Sequence, residues 1–201
     1  MSVALQQFDL AIYSLIHALT NPLLDWGSSI LSTVTWAGAC WWVLAAILWI
    51  RGHRYLAAQL TIVLIISSIE AEALKHIFHR LRPAASMPDS VRMMIPDILT
   101  NKSSFPSGHT LLAAAASVLL LMNVRNWRTW SLLAVAFLVG YARVYEGMHW
   151  PTDVIGGFFL GATTAITVAW LAKPLARHSL FAGRESHVSK SAVILHGVSK
   201  R

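Results

Sequence analysis

Long uncharged stretches separated by short basic or proline-bearing breaks set the pattern of this chain. Trp26 to Ile50 carries no charged residue and reads as one membrane span, closed by Arg51-Gly52-His53-Arg54. Tyr55 to His79 is apolar as far as Ser68 and then bears Glu70, Glu72 and Lys75. Three more apolar runs follow: Thr110 to Val124, Thr129 to Ala142 and Val154 to Ala172. Leu10 to Leu24 is apolar but interrupted by His17, Asn21 and Pro22, so it either spans or lies along the interface as an amphipathic helix. The pattern predicts an all-α, polytopic transmembrane helical bundle of about six helices over residues 1–173. Gly157-x-x-x-Gly161 predicts close helix packing in the last span.

Two segments fall outside that pattern. Residues 83–105 carry Pro88, Asp89, Arg92, Pro96, Asp97 and Lys102 and are long for a connection between spans, so they read as a lid or access surface. Residues 174–201 are polar and basic and read as a cytoplasmic tail. The first residues lack a basic region ahead of an apolar core, so no cleavable signal peptide is expected.

Composition supports the membrane reading. The chain is 56% hydrophobic and 12% charged, with mean hydropathy +0.56, whereas soluble domains carry about 25% charged residues. Its nine tryptophans suit membrane interfaces. The net charge of +7 sits in short loops, motifs and the tail rather than on one polar face, so no nucleic-acid partner is expected. Cys40 is the single cysteine, which excludes an intrachain disulfide and a thiolate metal site. It reads as a small buried side chain.

Charge also suggests an orientation. Alternating spans put Arg51, Arg54, Arg125, Arg128, Lys173 and Arg177 on one side and Lys75, Arg80, Arg82, Arg92, Lys102 and Arg143 on the other. Short loops weigh most, so the Arg51/Arg54 and Arg125/Arg128 side is expected to be cytoplasmic. The second set of cations then faces outward, free for a ligand.

Three groups of residues carry candidate chemistry. In Arg143 to Asp153, His149 precedes a carboxylate by four residues. A helix opening at Trp150 would let Asp153 hold one imidazole nitrogen and leave the other basic. Arg143 offers a fork of donors for an anion beside that nucleophile. In Lys75-His76-Ile77-Phe78-His79-Arg80-Leu81-Arg82-Pro83, Lys75 and Arg82 are seven apart, which on one helix places them near the same face. Glu72 is within reach of Lys75. In Pro106-Ser107-Gly108-His109, Ser107 is a favoured N-cap and Gly108 lets a ligand approach the backbone. A helix N-terminus there suits a phosphate, with His109 as a proton donor. Each group alone is ordinarily structural; together they bring three cations, two histidines and a helix N-terminus to one membrane face. His76, His79, His109, His149 and Asp153 could ligate zinc. Lys75, Arg82 and Arg143 around the same site favour an anion over a dication, so no metal or other cofactor is expected.

Lys75-x6-Arg82-Pro83, Pro106-Ser107-Gly108-His109 and Arg143-x5-His149-x3-Asp153 resemble the three signature motifs of the type 2 phosphatidic acid phosphatase family, over roughly residues 55 to 172. The resemblance implies an integral membrane enzyme that hydrolyses lipid phosphates without a metal. It assigns His149 as nucleophile through a phosphohistidine, Asp153 as its stabiliser and His109 as acid to the leaving oxygen. It assigns Lys75, Arg82, Ser107, Gly108 and Arg143 to phosphate binding. Ala142 stands where the family usually has Ser, removing one phosphate donor. The string around His149 is similar to bacterial undecaprenyl-diphosphate phosphatases, which implies a multi-pass protein of the bacterial plasma membrane with its site outside. Phosphatidylglycerophosphate or phosphatidate phosphatase is the alternative within the family, and a lipid phosphotransferase would use the same residues. A lipid or anion transporter would instead place its cations and broken helices at the midplane.

Overall fold

The structure is a computed structural model describing residues 3–87, 103–124 and 126–173. Among these residues it is all α, with one isolated bridge between Leu81 and Ser103. Its helices are α1 (Val3–Ala18), α2 (Pro22–Val34), α3 (Ala39–Ile50), α4 (Arg54–Phe78), α5 (Pro83–Ser86), α6 (Gly108–Asn123), α7 (Trp127–Tyr145) and α8 (Pro151–Ala172). By length and apolarity α4 and α8 can each cross a membrane. Most of the expected lid and the whole of the expected tail lie outside the described residues.

The uninterrupted span expected from Trp26 to Ile50 is instead two helices, α2 and α3, meeting at 49° across a short 3-10 turn at Trp36–Gly38. The break has a local cause. Gly38 sits at φ 74 ahead of α3, and a β-carbon there would lie 3.0 Å from Leu112 Cδ1. Only a glycine lets the chain turn while touching α6.

α6 is the axis of the bundle and packs against α4, α7 and α8. Ala113, Ala115, Ala116 and Leu119 are fully enclosed among Leu60, Val63, Leu64, Ala136, Val139 and Ala165. The predicted glycine pair is what allows the closest approach. A β-carbon on Gly161 would lie 2.2 Å from the Leu111 carbonyl oxygen, and one on Gly157 would lie 2.7 Å from that of Ser107. The two backbones therefore touch, which fixes the start of α6 against the first turns of α8. Outside this core Trp26, Trp49, Trp127, Trp130, Phe159 and Trp170 are exposed, as a lipid-facing surface requires. Cys40 is half-buried at its edge.

The ends of the bundle differ. At one end Tyr55 donates to the carbonyl of Ala172 at 2.8 Å, and the guanidiniums of Arg54 and Arg128 lie over the rings of Trp49 and Trp127. At the other end lie the last turn of α4, α5, the start of α6 and the α7–α8 connection. The first helix packs at this end, against α7 and α8. Asp9, Tyr13 and His17 share one face of α1. They meet Thr152, Trp150 and Tyr145 in turn, all at the α7–α8 connection.

Candidate active site

The third motif is built by a helix end, a tight connection and a helix start. α7 runs on through Tyr145, so Arg143 lies in its last turn with its guanidinium 3% exposed. Pro151 occupies the first position of α8, where its missing N–H costs nothing. Asp153, in the first turn of α8, accepts the Trp150 N–H through Oδ2 at 2.8 Å. His149 lies just ahead of this cap, 3% exposed.

The histidine is oriented by the backbone. His149 Nδ1 lies 2.7 Å from the carbonyl oxygen of Ser104. A carbonyl can only accept, so Nδ1 carries the proton and Nε2 keeps its lone pair. Asp153 Oδ2 is 3.8 Å from Nδ1. The direct pairing expected from the four-residue spacing is therefore loosened, because Oδ2 serves the Trp150 amide and Oδ1 is taken by Arg80. Burial pushes the imidazole down to about 4; Asp153 opposes the shift, while Arg82 and Arg143 add to it. His149 is thus neutral at pH 7, the form in which an imidazole nitrogen can act as a nucleophile.

The first motif does not continue as one helix. α4 ends at Phe78, and His79 turns out of it in the left-handed region at φ 44. Lys75 and Arg82 consequently do not share a helical face, contrary to the sequence expectation. Folding back serves the site better. Ser104 N–H donates to the Arg80 carbonyl at 2.7 Å and Ser103 Oγ to that of Lys75 at 2.9 Å. This lacing presents the Ser104 carbonyl to His149. Lys75 pairs with Glu72 at 2.6 Å, as anticipated. Its Nζ also lies 4.0 Å from where a β-carbon on Gly108 would stand, so the first and second motifs touch.

In the second motif Ser107 occupies the N-cap of α6, but its side chain does not cap the helix. Its Oγ lies 3.0 Å from Thr110 Oγ1 instead. Ser107 N–H donates to the Asp153 carbonyl at 3.0 Å, joining the second motif to the third. The His109 imidazole is held well below its ordinary range by burial, then by the charges of Arg143, His149, Lys75 and Arg82, a shift that a bound phosphate anion would oppose. Its Nε2, together with Arg82 Nε and Arg143 Nε, is buried with no hydrogen-bond partner among the described residues. Buried polar atoms without partners are costly and rare. Several of them around one neutral histidine describe a cradle for an anion. Burial, then the charge of Arg143, holds the Arg82 guanidinium below its ordinary range, which an anion would relieve.

Four participants were not identified from the sequence. The Ser104 carbonyl is one, and a main-chain acceptor leaves no side-chain signature. Glu146 is the second: its Oε2 lies 2.7 Å from Arg143 Nη2, and its other oxygen accepts from Ser32 Oγ on α2. Arg80 and Asp9 complete the set. Arg80 donates to Asp153 Oδ1 at 2.5 Å and to Thr152 Oγ1 at 2.7 Å, and pairs through Nη2 with Asp9. His76 and His79 are exposed and join neither His109 nor His149. Among the described residues no three His, Cys, Asp or Glu side chains are grouped as metal ligands.

Residues 54–177 match the sequence model of the PAP2 superfamily, and all three motifs fall within that stretch. The chain belongs to this superfamily. It is 35% identical over 121 residues to an undecaprenyl-diphosphatase of Sulfolobus acidocaldarius, covering 60% of this chain but only 57% of that protein. It is 29% identical over 169 residues to a putative undecaprenyl-diphosphatase, YbjG, of Escherichia coli, covering 78% of this chain and 79% of that one. The crystal structure of Aquifex aeolicus LpxE superposes with a TM-score of 0.71 at 28% identity, covering 80% of this chain and 93% of that one. The transmembrane PAP2 fold read from the motifs is thereby established.

Proposed function

We propose that this protein is an integral membrane phosphatase that hydrolyses a lipid phosphate or diphosphate monoester through a phosphohistidine on His149. The observation that carries the reading is the pairing of a tautomer-fixed, neutral His149 with the unpartnered Nε–H groups of Arg82 and Arg143 and the unpartnered Nε2 of His109. His149 Nε2 attacks phosphorus as the bond to the leaving oxygen breaks, and His109 delivers a proton to that oxygen. Lys75, Arg82, Arg143, Ser107 and the Gly108 amide hold the phosphoryl oxygens while charge moves among them. Asp153 lies close enough to favour the imidazolium that forms. Water, surrendering a proton to His109, then cleaves the N–P bond and releases phosphate.

Undecaprenyl diphosphate is the substrate we favour, because two relatives carry that activity in their names. Ala142 offers no donor beside Arg143, so the remaining phosphate ligands carry the binding. The cations lie at helix ends rather than at the midplane, which supports an enzyme over a transporter. The setting we propose is a bacterial plasma membrane with the motif end outward, since Arg51, Arg54 and Arg128 mark the opposite end.

The test is phosphate release in detergent from undecaprenyl diphosphate, phosphatidylglycerophosphate and phosphatidate, each with EDTA. Release that persists in EDTA and favours the diphosphate supports the proposal. Release abolished by EDTA and restored by magnesium or zinc contradicts it.

A further inference from the structure

The most elaborate polar cluster of the described residues lies behind the nucleophile, and its outermost member comes from the first helix. Asp9 is 1% exposed and is the one acidic residue of α1. One carboxylate oxygen accepts the Thr152 N–H at 2.9 Å; the other accepts Thr152 Oγ1–H at 2.7 Å and pairs with Arg80 Nη2. Arg80 reaches on to Asp153, and its guanidinium also packs 5.6 Å over the Trp150 ring. Asp153, wholly buried, stands behind His149. α1 lies outside the stretch that matches the superfamily, so Asp9 belongs to none of its motifs.

Charge counting shows what Asp9 adds. Arg80 and Asp153 alone would neutralise one another, leaving nothing behind His149 to favour the cation formed when its Nε2 attacks phosphorus. With Asp9 the buried group carries one net negative charge, delivered behind the ring. Such a charge acts strongly where water is excluded. A carboxylate used only to fasten α1 would not need to share its arginine with Asp153.

We propose that Asp9 is a positioning residue for the phosphoryl-transfer step: it holds Arg80 and Thr152, and thereby keeps Asp153 in place and leaves a net negative charge behind His149. The inference rests on the phosphohistidine reading above. It makes α1 an integral part of the site rather than an anchor.

The experiment compares full-length wild type, Asp9→Asn, Asp9→Glu and Asp9→Asn/Arg80→Gln in detergent, with rates normalised to folded protein. Asp9→Asn retains an acceptor for the Thr152 amide. It is expected to lower kcat by about 10²-fold, the usual cost of slight misplacement at a reacting centre, with KM little changed. Asp9→Glu should recover part of the loss. The double variant restores the net negative charge and should exceed Asp9→Asn in kcat. Wild-type kcat in Asp9→Asn, or a double variant no faster than Asp9→Asn, overturns the proposal. If Asp9→Asn fails to fold, Thr152→Val replaces it, and an unchanged kcat there is equally fatal. A wild type with no phosphatase activity would strike the parent reading instead.

Discussion

His149 Nδ1 lies 2.7 Å from the Ser104 carbonyl oxygen, with Asp153 farther off at 3.8 Å. In a Ser-His-Asp triad the carboxylate fixes the tautomer, and exchanging it for an amide costs about four orders of magnitude because the proton moves to the wrong nitrogen. Here a carbonyl does that work and cannot be mutated away. Asp153→Asn should therefore lose only the electrostatic share, about two to three orders of magnitude in kcat. A loss of four orders or more would mean that Asp153, and not Ser104, sets the tautomer.

The charge state of His149 gives a second prediction. Burial is the largest influence on the ring and lowers it to about 4. In 15N-histidine spectra of the detergent-solubilised protein, with the signal assigned by His149→Gln, the ring should stay neutral down to about pH 5. Because the unfolded chain binds that proton near pH 6.5, stability should rise with pH between about 4 and 6.5, and fall on acidification through that window. Titration of His149 near 6.5 would refute the buried, neutral nucleophile.

The spacings made the three motifs legible as residue sets, and the His149–Asp153 separation did predict that the two would approach. What the spacing could not reveal was competition for Asp153 by Arg80 and the Trp150 amide, because nothing in the sequence sets Arg80 apart from the other cations on its side of the chain. Asp9 had a visible signal, a lone acid in an otherwise uncharged helix, but its partner is 71 residues away. The bend between α2 and α3 was hidden for a different reason. Thr35-Trp36-Ala37-Gly38 contains neither proline nor charge, and nothing local in the sequence shows that Gly38 adopts a left-handed conformation against Leu112. Gly157 and Gly161, by contrast, revealed the packing partner class correctly, since small residues four apart have few other uses in a span.

That packing makes a third prediction. Gly161→Ala drives a methyl into the Leu111 carbonyl, and Gly157→Ala crowds Ser107. Each should cost about 1–3 kcal/mol of stability through overpacking. The two should differ in kind, since Gly157→Ala also displaces the second motif and should raise KM. Gly27, with nothing within 4 Å, is the control. Thermal unfolding and steady-state kinetics in detergent check all three; equal behaviour of Gly27→Ala and Gly161→Ala would dismiss the contact.

Orientation is tested with single cysteines in a Cys40→Ala background, at Ala85 on the motif end and His53 on the opposite end, both exposed. In intact cells an impermeant thiol reagent should label Ala85→Cys and spare His53→Cys until the cells are broken. The reverse pattern would place the site inside and remove the outward-facing role.

The central claim is that phosphate passes through His149 with His109 as its proton donor. His109→Ala should lose about two to four orders of magnitude with a poor leaving group, and far less with p-nitrophenyl phosphate, whose leaving group scarcely needs a proton. A brief quench with 32P-labelled substrate decides the matter most directly. Acid-labile label should accumulate on His109→Ala protein and be missing from His149→Ala protein. Label trapped on the His149→Ala variant would contradict the assignment and show that the nucleophile lies elsewhere.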